Sequence, residues 1–516
     1  MSGHEGVGAP DRLDALTGWT ADWSGLRVAV LGLGVTGFAV ADTLQELGAR
    51  VLVVAGAHDA DREGILEVLG VPVVVEPDAA AIPADLVAHD PELVVVSPGY
   101  RPEHPLLRWA AERGVPVWGD IELAWRVRDK VSPPAHWILV TGTNGKTTTT
   151  GMTAHLLRTA GLRAIEAGNI GVPVLDVVRD PQGFDAIVVE LSSFQLSRMS
   201  VDGPGAVHPI ASVCLNVADD HLDWHGGADA YAAAKGRVYA NTRVACVYNL
   251  ADVATRAMVE DADVEEGCRA IGFGLGVPGP SDLGIVDGVV VDRAFLDARA
   301  TTALELSTLD ELAAAGIASP HMVANALAAA ALARAAGADP AHVRDGLASF
   351  RIDHHRTELV AESDGVAWVD DSKATNPHAA DAALRAFPSV VWLVGGLLKG
   401  VDIGPLVAAH AGRLRAAVVL GADRGEVLAA FARHAPQVVV LEAIAGEDGA
   451  VMPVAVRLAA DVAQPGDVVL LSPAAASMDQ FDSYADRGRR FAAAARDHTG
   501  GARDDDDPTD PPADAA

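Results

Sequence analysis

Short apolar runs recur along this chain at 28–31, 51–54, 73–75 and 93–96, with a glycine turn and a helical stretch ending at Gly48 between the first two. The runs are continuous rather than alternating, as in strands buried on both faces, and strands that alternate with helices predict a parallel sheet. A second series has runs at 137–140, 186–189 and 212–217, a helix opening after Gly145 and closing at Gly161, and an alanine-rich helix over 322–336 stopped by Gly337. Within it, residues 268–306 are glycine-rich and alternate, which predicts an irregular β region. A third series has runs at 366–369, 390–394, 417–420, 438–441 and 468–471. Residues 120–135 read as a connecting helix closed by Pro133-Pro134, so the expected segments are 1–120, 121–352 and 353–497, with the first 24 residues loose. The end, 498–516, holds Asp504 to Asp507 and several prolines, and is expected to be a disordered acidic tail.

A chain of 516 residues at roughly 100–200 residues per domain agrees with three domains. Its net charge of −31 argues against nucleic acid as a partner, because phosphate backbones need a basic footprint. An anionic substrate must then be met by local N–H clusters and single lysines. Cys214, Cys246 and Cys268 form no CxxC pair and are too few for a disulfide framework, which fits a reducing cytosol. The N-terminus carries Glu5, Asp11 and Asp14 without an apolar core, and no apolar stretch approaches the ~18 residues of a membrane span. A soluble cytoplasmic protein without membrane insertion is expected.

The segment Thr141-Gly142-Thr143-Asn144-Gly145-Lys146-Thr147-Thr148 follows a strand and opens a helix. Such a junction aims backbone N–H groups at phosphates. The glycines let the backbone approach an anion, Lys146 can reach the β/γ-phosphates and the Thr147 hydroxyl can ligate Mg²⁺. Val140 stands where the common loop has its first glycine, so this is a variant, and a threonine-rich helix cap with a chance lysine is the competing reading. Glu190, at the end of its run, is placed to hold Mg²⁺ directly or through water. Asp219-Asp220-His221-Leu222-Asp223 suits a second metal or a general base, or else is a solvated loop with a capping Asp. In the first segment Gly32-Leu33-Gly34-Val35-Thr36-Gly37 is a diphosphate cradle. A nicotinamide site is disfavoured because the second strand ends Val53-Val54-Ala55-Gly56, with Asp59 and Asp61 late. In the third segment, turns 370–377, 395–400 and 472–481 each follow a strand, so Lys373, Thr375, Lys399 and Ser472 could surround one small ligand, and two lysines imply an acid.

TGTNGKTT at 141–148, GNIG at 168–171, ELSSFQL at 190–196, LNVADDHLD at 215–223, HHR at 354–356, DSKATN at 371–376 and LLSPAAASMDQF at 470–481 occur in order. Over about 26–495 the chain closely resembles the Mur ligases of peptidoglycan precursor synthesis, and its DSKATN turn resembles the branch that adds D-glutamate to UDP-N-acetylmuramoyl-L-alanine. The resemblance implies an α/β fold of three domains: an N-terminal Rossmann-like domain for the UDP moiety, a central P-loop ATPase-type domain with a parallel sheet, and a C-terminal Rossmann-like domain. It implies a cytoplasmic monomer that uses ATP and two Mg²⁺ ions to form an amide through an acyl phosphate. Carried over by motif, Gly142, Thr143, Asn144, Gly145, Lys146, Thr147, Thr148, Asn325, Arg356 and Asp371 match ATP contacts. Thr147, Glu190 and His221 match the metal positions, and Lys235 matches a lysine that CO₂ converts to a carbamate. Lys373, Thr375, Lys399, Ser472 and Phe481 match the D-glutamate pocket, and Gly34, Val35, Thr36, Ser97 and Asn169 match the UDP-sugar contacts. Lys146, His221, Lys235 and Lys373 are the implied catalytic group.

Two positions depart from the family pattern. Met322 stands after His321 where relatives often have Asn, and Gly56-Ala57-His58-Asp59 replaces an Asp-Thr-Arg type of sequence used for the nucleotide. Three competing readings stay open at this point: a folylpolyglutamate synthase-like ligase, which lacks an N-terminal UDP domain, an oxidoreductase, and a catalytically silent nucleotide-binding module.

Overall fold

The computed structural model of the chain describes residues 9–351, 357–445 and 450–500. Its first sheet consists of β1 (Arg27–Leu31), β2 (Arg50–Ala55), β3 (Val73–Val75), β4 (Leu93–Val96) and β5 (Val117–Gly119), all parallel, in the order β3-β2-β1-β4-β5. Side chains alternate between its faces: Val28, Val30, Val51 and Val53 enter one core, while Ala29, Leu31, Leu52 and Val54 enter another. The continuous apolar runs are thus the signature of a two-faced strand. Strand order reverses direction between β1 and β4, the place where open α/β sheets leave a crevice.

Residues 12–24 are not loose as expected. Leu13, Leu16 and Trp23 are buried, and the buried Arg126 guanidinium donates to Leu13 O at 3.1 Å and Leu16 O at 2.9 Å. These apolar side chains belong to the same cluster as β1, which explains the order.

The second sheet consists of β6 (His136–Thr141), β7 (Ala164–Gly168), β8 (Ala186–Glu190), β9 (Ala211–Cys214), β10 (Ala245–Asn249), β11 (Arg269–Phe273), β12 (Asp282–Val286), β13 (Val289–Asp292) and β14 (Leu304–Thr308). Its order is β14-β13-β12-β11-β10-β9-β6-β8-β7, parallel from β7 to β12, with β13 and β14 antiparallel. The stretch expected to be an irregular β region is therefore β11 to β14, an ordered extension of the sheet. Asp287-Gly288, at φ 48° and 80°, makes the tight two-residue turn that such a hairpin needs. The first and second sheets lie in one compact unit, 1–217 with 227–351.

Within that unit Gln195 Nε2 donates to Asp120 Oδ2 at 2.9 Å, joining the end of the first sheet to the helix after β8. Burial raises the Asp120 carboxyl to about 6, against the Gln195 hydrogen bond, which lowers it. A carboxyl raised above its unfolded value costs stability once ionised, so this contribution is complete at low pH and is lost as pH rises from about 4 through about 6. Asp120→Asn, which keeps an acceptor for Gln195, is expected to raise the melting temperature more at pH 8 than at pH 5. An equal shift at both values would show that Asp120 is not the titrating group.

The second unit comprises 218–226 and 352–516, and its described part contains the third sheet. This sheet has β15 (Glu358–Ser363), β16 (Val366–Asp370), β17 (Val390–Gly395), β18 (Leu414–Leu420), β19 (Val439–Glu442) and β20 (Val468–Leu471), in the order β15-β16-β20-β17-β18-β19. Only β15 runs antiparallel. Because β20 lies between β16 and β17, the turns after these three strands are neighbours. Arg356 and the rest of 352–356, and the tail from 501, lie outside the described residues.

Candidate functional site

In the first unit the turn after β6 leads into the helix Lys146–Thr159, which has no side-chain cap at its N-terminus. Gly145 adopts φ 83°, and a Cβ there would come within 2.5 Å of Asn325 Oδ1. Only glycine satisfies both the conformation and the approach. Asn325, buried on the helix Pro320–Ala335, therefore packs directly against the loop. Met322 is buried on that helix, so in this conformation its side chain packs in the interior.

Asn216, which sequence reasoning did not single out, fixes the loop from below. Its carbonyl accepts from Thr143 N at 2.9 Å, its Oδ1 accepts from Asn144 N at 2.9 Å, and its Nδ2 donates to Asn144 O at 3.1 Å. Lys146 Nζ donates to Gly142 O and Thr143 O, both at 2.9 Å. Lys235, only 1% exposed, donates from Nζ to the same Gly142 carbonyl at 2.7 Å and lies 4.7 Å from the centre of the Tyr231 ring. Tyr231 in turn shares a 3.0 Å hydrogen bond with Thr143 Oγ1. The two lysines are thus brought to one carbonyl of the loop.

Glu190 ends β8 beside this loop and is 1% exposed. Its Oε1 accepts from Asn169 Nδ2 at 2.9 Å, while Oε2 is buried with no hydrogen-bond partner among the described residues. A buried carboxylate oxygen without a donor is strongly disfavoured unless a cation meets it, so this position fits a divalent metal. Among the described residues no three His, Cys, Asp or Glu side chains cluster to hold a metal. A metal here would therefore complete its shell with hydroxyl, phosphate and water oxygens.

A cavity of the first unit, about 700 Å³, opens at the β1/β4 switch point. It is lined by Gly34, Val35, Thr36 and Ser97, four of the five expected UDP-sugar residues, together with Tyr100 and His104. Asn169 does not line it and instead contacts Glu190.

In the second unit the three neighbouring turns are tied together. Ser472 Oγ donates to Asp371 Oδ2 at 2.7 Å, and Leu397 and Ala476 exchange backbone hydrogen bonds at 2.9 and 3.0 Å. The buried Arg487 donates to Ser372 Oγ at 2.9 Å, to Ser372 O at 2.8 Å and to Ala475 O at 3.1 Å. Burial lowers its guanidinium to about 10, with Asp479 and Asp370 opposing the shift. Lys373 Nζ lies 3.7 Å from the centre of the Tyr484 ring. Thr375 follows on the same turn and is half-buried, whereas Phe481 packs in the core. Asp371, expected at ATP, also accepts from Thr357 N at 3.2 Å.

By its packing the loop 218–226 goes with this unit. There Lys399 Nζ stands 3.6 Å from Asp220 Oδ1 and 3.5 Å from His221 Nε2. His221 has φ 52° and its Nε2 is 3.6 Å from Asp220 Oδ2.

Family models match three successive stretches: the Mur ligase MurD-like N-terminal domain over 26–119, the Mur ligase middle domain over 140–333 and the Mur ligase glutamate ligase domain over 355–475. The chain is 62% identical over 501 residues to the UDP-N-acetylmuramoylalanine–D-glutamate ligase of Leifsonia xyli subsp. xyli, covering 96% of this chain and 97% of that one. The chain belongs to the Mur ligase family. Its likeness to the enzyme of the same name from Streptomyces avermitilis is 51% over 481 residues, 92% of this chain and 99% of the relative. Two solved structures share the fold: the UDP-N-acetylmuramate–alanine ligase of Thermotoga maritima (TM-score 0.52, 19% identity) and a pseudomurein peptide ligase type C of Methanothermus fervidus (TM-score 0.53, 16% identity). The first covers 91% of this chain and the second 90%, and each is itself covered to 99%. The Mur ligase middle-domain match spans Lys146, Glu190, Lys235 and Asn325, and the glutamate ligase match spans Lys373, Lys399 and Ser472 but ends before Phe481.

Proposed function

We propose that this Mur ligase joins D-glutamate to UDP-N-acetylmuramoyl-L-alanine with cleavage of ATP to ADP and phosphate. The observation that carries the reading is the lysine-bearing turn after β16, tied by Asp371 to Ser472, in a chain 62% identical to a ligase named for D-glutamate. A carboxylate is a poor electrophile. ATP therefore transfers its γ-phosphoryl group to the L-alanine carboxylate, and the resulting acyl phosphate carries phosphate as leaving group. The D-glutamate amine attacks the acyl carbon, the tetrahedral intermediate expels phosphate, and the amide remains.

Lys146 and the N–H groups at the start of its helix hold the β/γ-phosphates, and Asn325, Arg356 and Asp371 complete the ATP contacts. The sugar nucleotide occupies the cavity at Gly34, Val35, Thr36 and Ser97. Asn169, which lies outside that cavity beside Glu190, is proposed as a further contact. Thr147, Glu190 and His221 are the proposed ligands of two Mg²⁺ ions, supported by a carbamate on Lys235. Bound Mg²⁺ neutralises charge on the phosphate oxygens. The proposed domain limits are 1–120, 121–352 and 353–497. The enzyme is proposed to act as a cytoplasmic monomer. Among the described residues no helix is long and apolar enough to cross a membrane.

Lys373, Thr375, Lys399 and Ser472 receive D-glutamate. The side-chain carboxylate of D-glutamate would cost several kcal/mol to bury without a partner, so a lysine there selects it. In a panel of amino acids, D-glutamate is expected to give the fastest phosphate release, and neutral D-glutamine to be used far less well. Lys373→Met is expected to lower kcat/KM for D-glutamate by at least ~10-fold, about 1.4 kcal/mol, and to narrow the preference over D-glutamine. Preference of the wild-type enzyme for L-alanine or a diamino acid would overturn the assignment within the family.

A further inference from the structure

The cavity at the first sheet's switch point has two chemically different sides. One is the glycine turn after β1, where the helix Val35–Glu46 begins without a side-chain cap. Ser97 belongs to this side: a Cβ on Gly32 would meet Ser97 Oγ at 2.6 Å, and that hydroxyl is buried with no hydrogen-bond partner among the described residues. Uncapped N–H groups and an unpaired hydroxyl suit a diphosphate. The other side is aromatic. Tyr100 and His104 both line the cavity, with ring centres 4.7 Å apart and planes at 64°.

The aromatic side is preorganised. Tyr100 N donates to Ser97 O at 3.3 Å and Tyr100 O accepts from Arg198 Nη2 at 2.8 Å, while His104 N donates to Arg101 O at 3.0 Å. His104 Nδ1 accepts from Leu106 N at 3.3 Å, which leaves the proton of the neutral ring on Nε2 as a donor. Burial lowers the His104 pKa, in keeping with a neutral ring.

The loop after β2 offers no comparable site. None of residues 56–59 lines the cavity. Asp59 caps its own helix by accepting from Arg62 N at 3.0 Å and pairs with the Arg62 guanidinium, while Glu63 takes His58 Nδ1 at 3.0 Å and Asp59 N at 2.9 Å. Its acids are committed to the turn itself.

We infer that the segment 97–105 recognises the nucleobase: the uracil ring packs on Tyr100 and a uracil carbonyl accepts from His104 Nε2–H, while the glycine turn and Ser97 hold the diphosphate. The inference rests on the reading of this cavity as the sugar-nucleotide site. A planar base and a rigid tyrosine face gain contact area at little entropic cost, and aromatic stacking on a base contributes about 1–3 kcal/mol.

The test uses full-length enzyme with a non-hydrolysable ATP analogue in excess, so that UDP titrated by calorimetry meets only this site. Tyr100→Leu is expected to weaken UDP binding at least ~10-fold and to raise the KM for UDP-N-acetylmuramoyl-L-alanine equally, with kcat and the ATP KM within about two-fold of wild type. Tyr100→Phe, which keeps the ring, should bind within about three-fold of wild type. His104→Asn retains an acceptor for the helix cap while losing the imidazole, and should weaken UDP at least ~3-fold. Saturation-transfer NMR on the unaltered enzyme needs no folded variant and should label uracil H5 and H6 from the aromatic protons more strongly than the ribose protons. UDP binding within two-fold of wild type in a folded Tyr100→Leu/His104→Asn variant, or labelling of ribose alone, overturns the inference and leaves the sugar-nucleotide site standing. A wild-type enzyme that does not bind UDP overturns that underlying reading instead.

Discussion

Lys146→Ala is expected to abolish ATP turnover, lowering phosphate release by at least ~10³-fold, about 4 kcal/mol of lost transition-state stabilisation. The side chain is half-buried at the head of a 14-residue helix, and Nζ donates to two carbonyls of the loop before it, those of Gly142 and Thr143. Nζ thus supports the loop proposed to cradle phosphate, and in the proposed ATP complex the same ammonium is expected to face the β/γ-phosphates. Losing it should cost the fold little, because Asn216 still holds Thr143 and Asn144, and Asn325 still packs on Gly145. The variant should therefore melt within a few degrees of wild type. Lys146→Arg retains the charge but presents a planar fork in place of a point charge, and should recover only a small part of the rate. Near-wild-type phosphate release by a folded Lys146→Ala variant would rule out the phosphate cradle.

The loop was legible in the sequence because its chemistry is local: Gly145, Lys146 and Thr147 are consecutive, and an apolar run before them places the turn at a strand end. The buried strands were legible for a similar reason, since β1, β2, β4, β17 and β20 carry apolar residues on both faces. Edge strands carry no such signal. The strand Glu358–Ser363 mixes buried Val360 with exposed Leu359, and only the Asp364-Gly365 pair, at φ 54° and 75°, marks its hairpin. Asp287-Gly288 gave the same hint for the hairpin of β12 and β13, inside the stretch expected to be irregular. Nor could local pattern show the packing of Leu13, Leu16 and Trp23, whose partners lie far along the chain.

What stayed hidden in the site is what depends on distant partners. Asn216 braces a loop 72 residues before it, and Arg487 clasps two turns through Ser372 and Ala475. Tyr484, under Lys373, lies on a different element from the lysine it faces. The burial of Lys235 belongs to this class as well, because from its place after Tyr231 it reads as a surface lysine.

That burial sharpens the second large effect. Lys235→Ala is expected to lose nearly all ligase activity, and short carboxylic acids are expected to restore part of it. Lys235 is 1% exposed, and its Nζ lies 2.7 Å from the Gly142 carbonyl oxygen and 4.7 Å from the centre of the Tyr231 ring, so its amine is held at the loop and away from bulk water. Reaction of the neutral amine with CO₂ forms an N–C bond and releases one proton, turning a cation into a carbamate anion that can serve Mg²⁺. Two roles for Lys235 then predict different results. If it only anchors Gly142, the alanine variant should melt earlier, and acetate or formate should do nothing for activity. If it carries the carbamate, millimolar acetate, formate or propionate should raise the alanine variant's phosphate release several-fold without moving its melting temperature. Wild-type activity should also fall in CO₂-depleted buffer and return with bicarbonate. Lys235→Met, which fills the volume without charge, should resemble alanine in activity but resist rescue, because its side chain occupies the space that the added acid needs. Full activity in Lys235→Ala would remove the carbamate from the mechanism and leave Thr147, Glu190 and His221 as the proposed metal ligands.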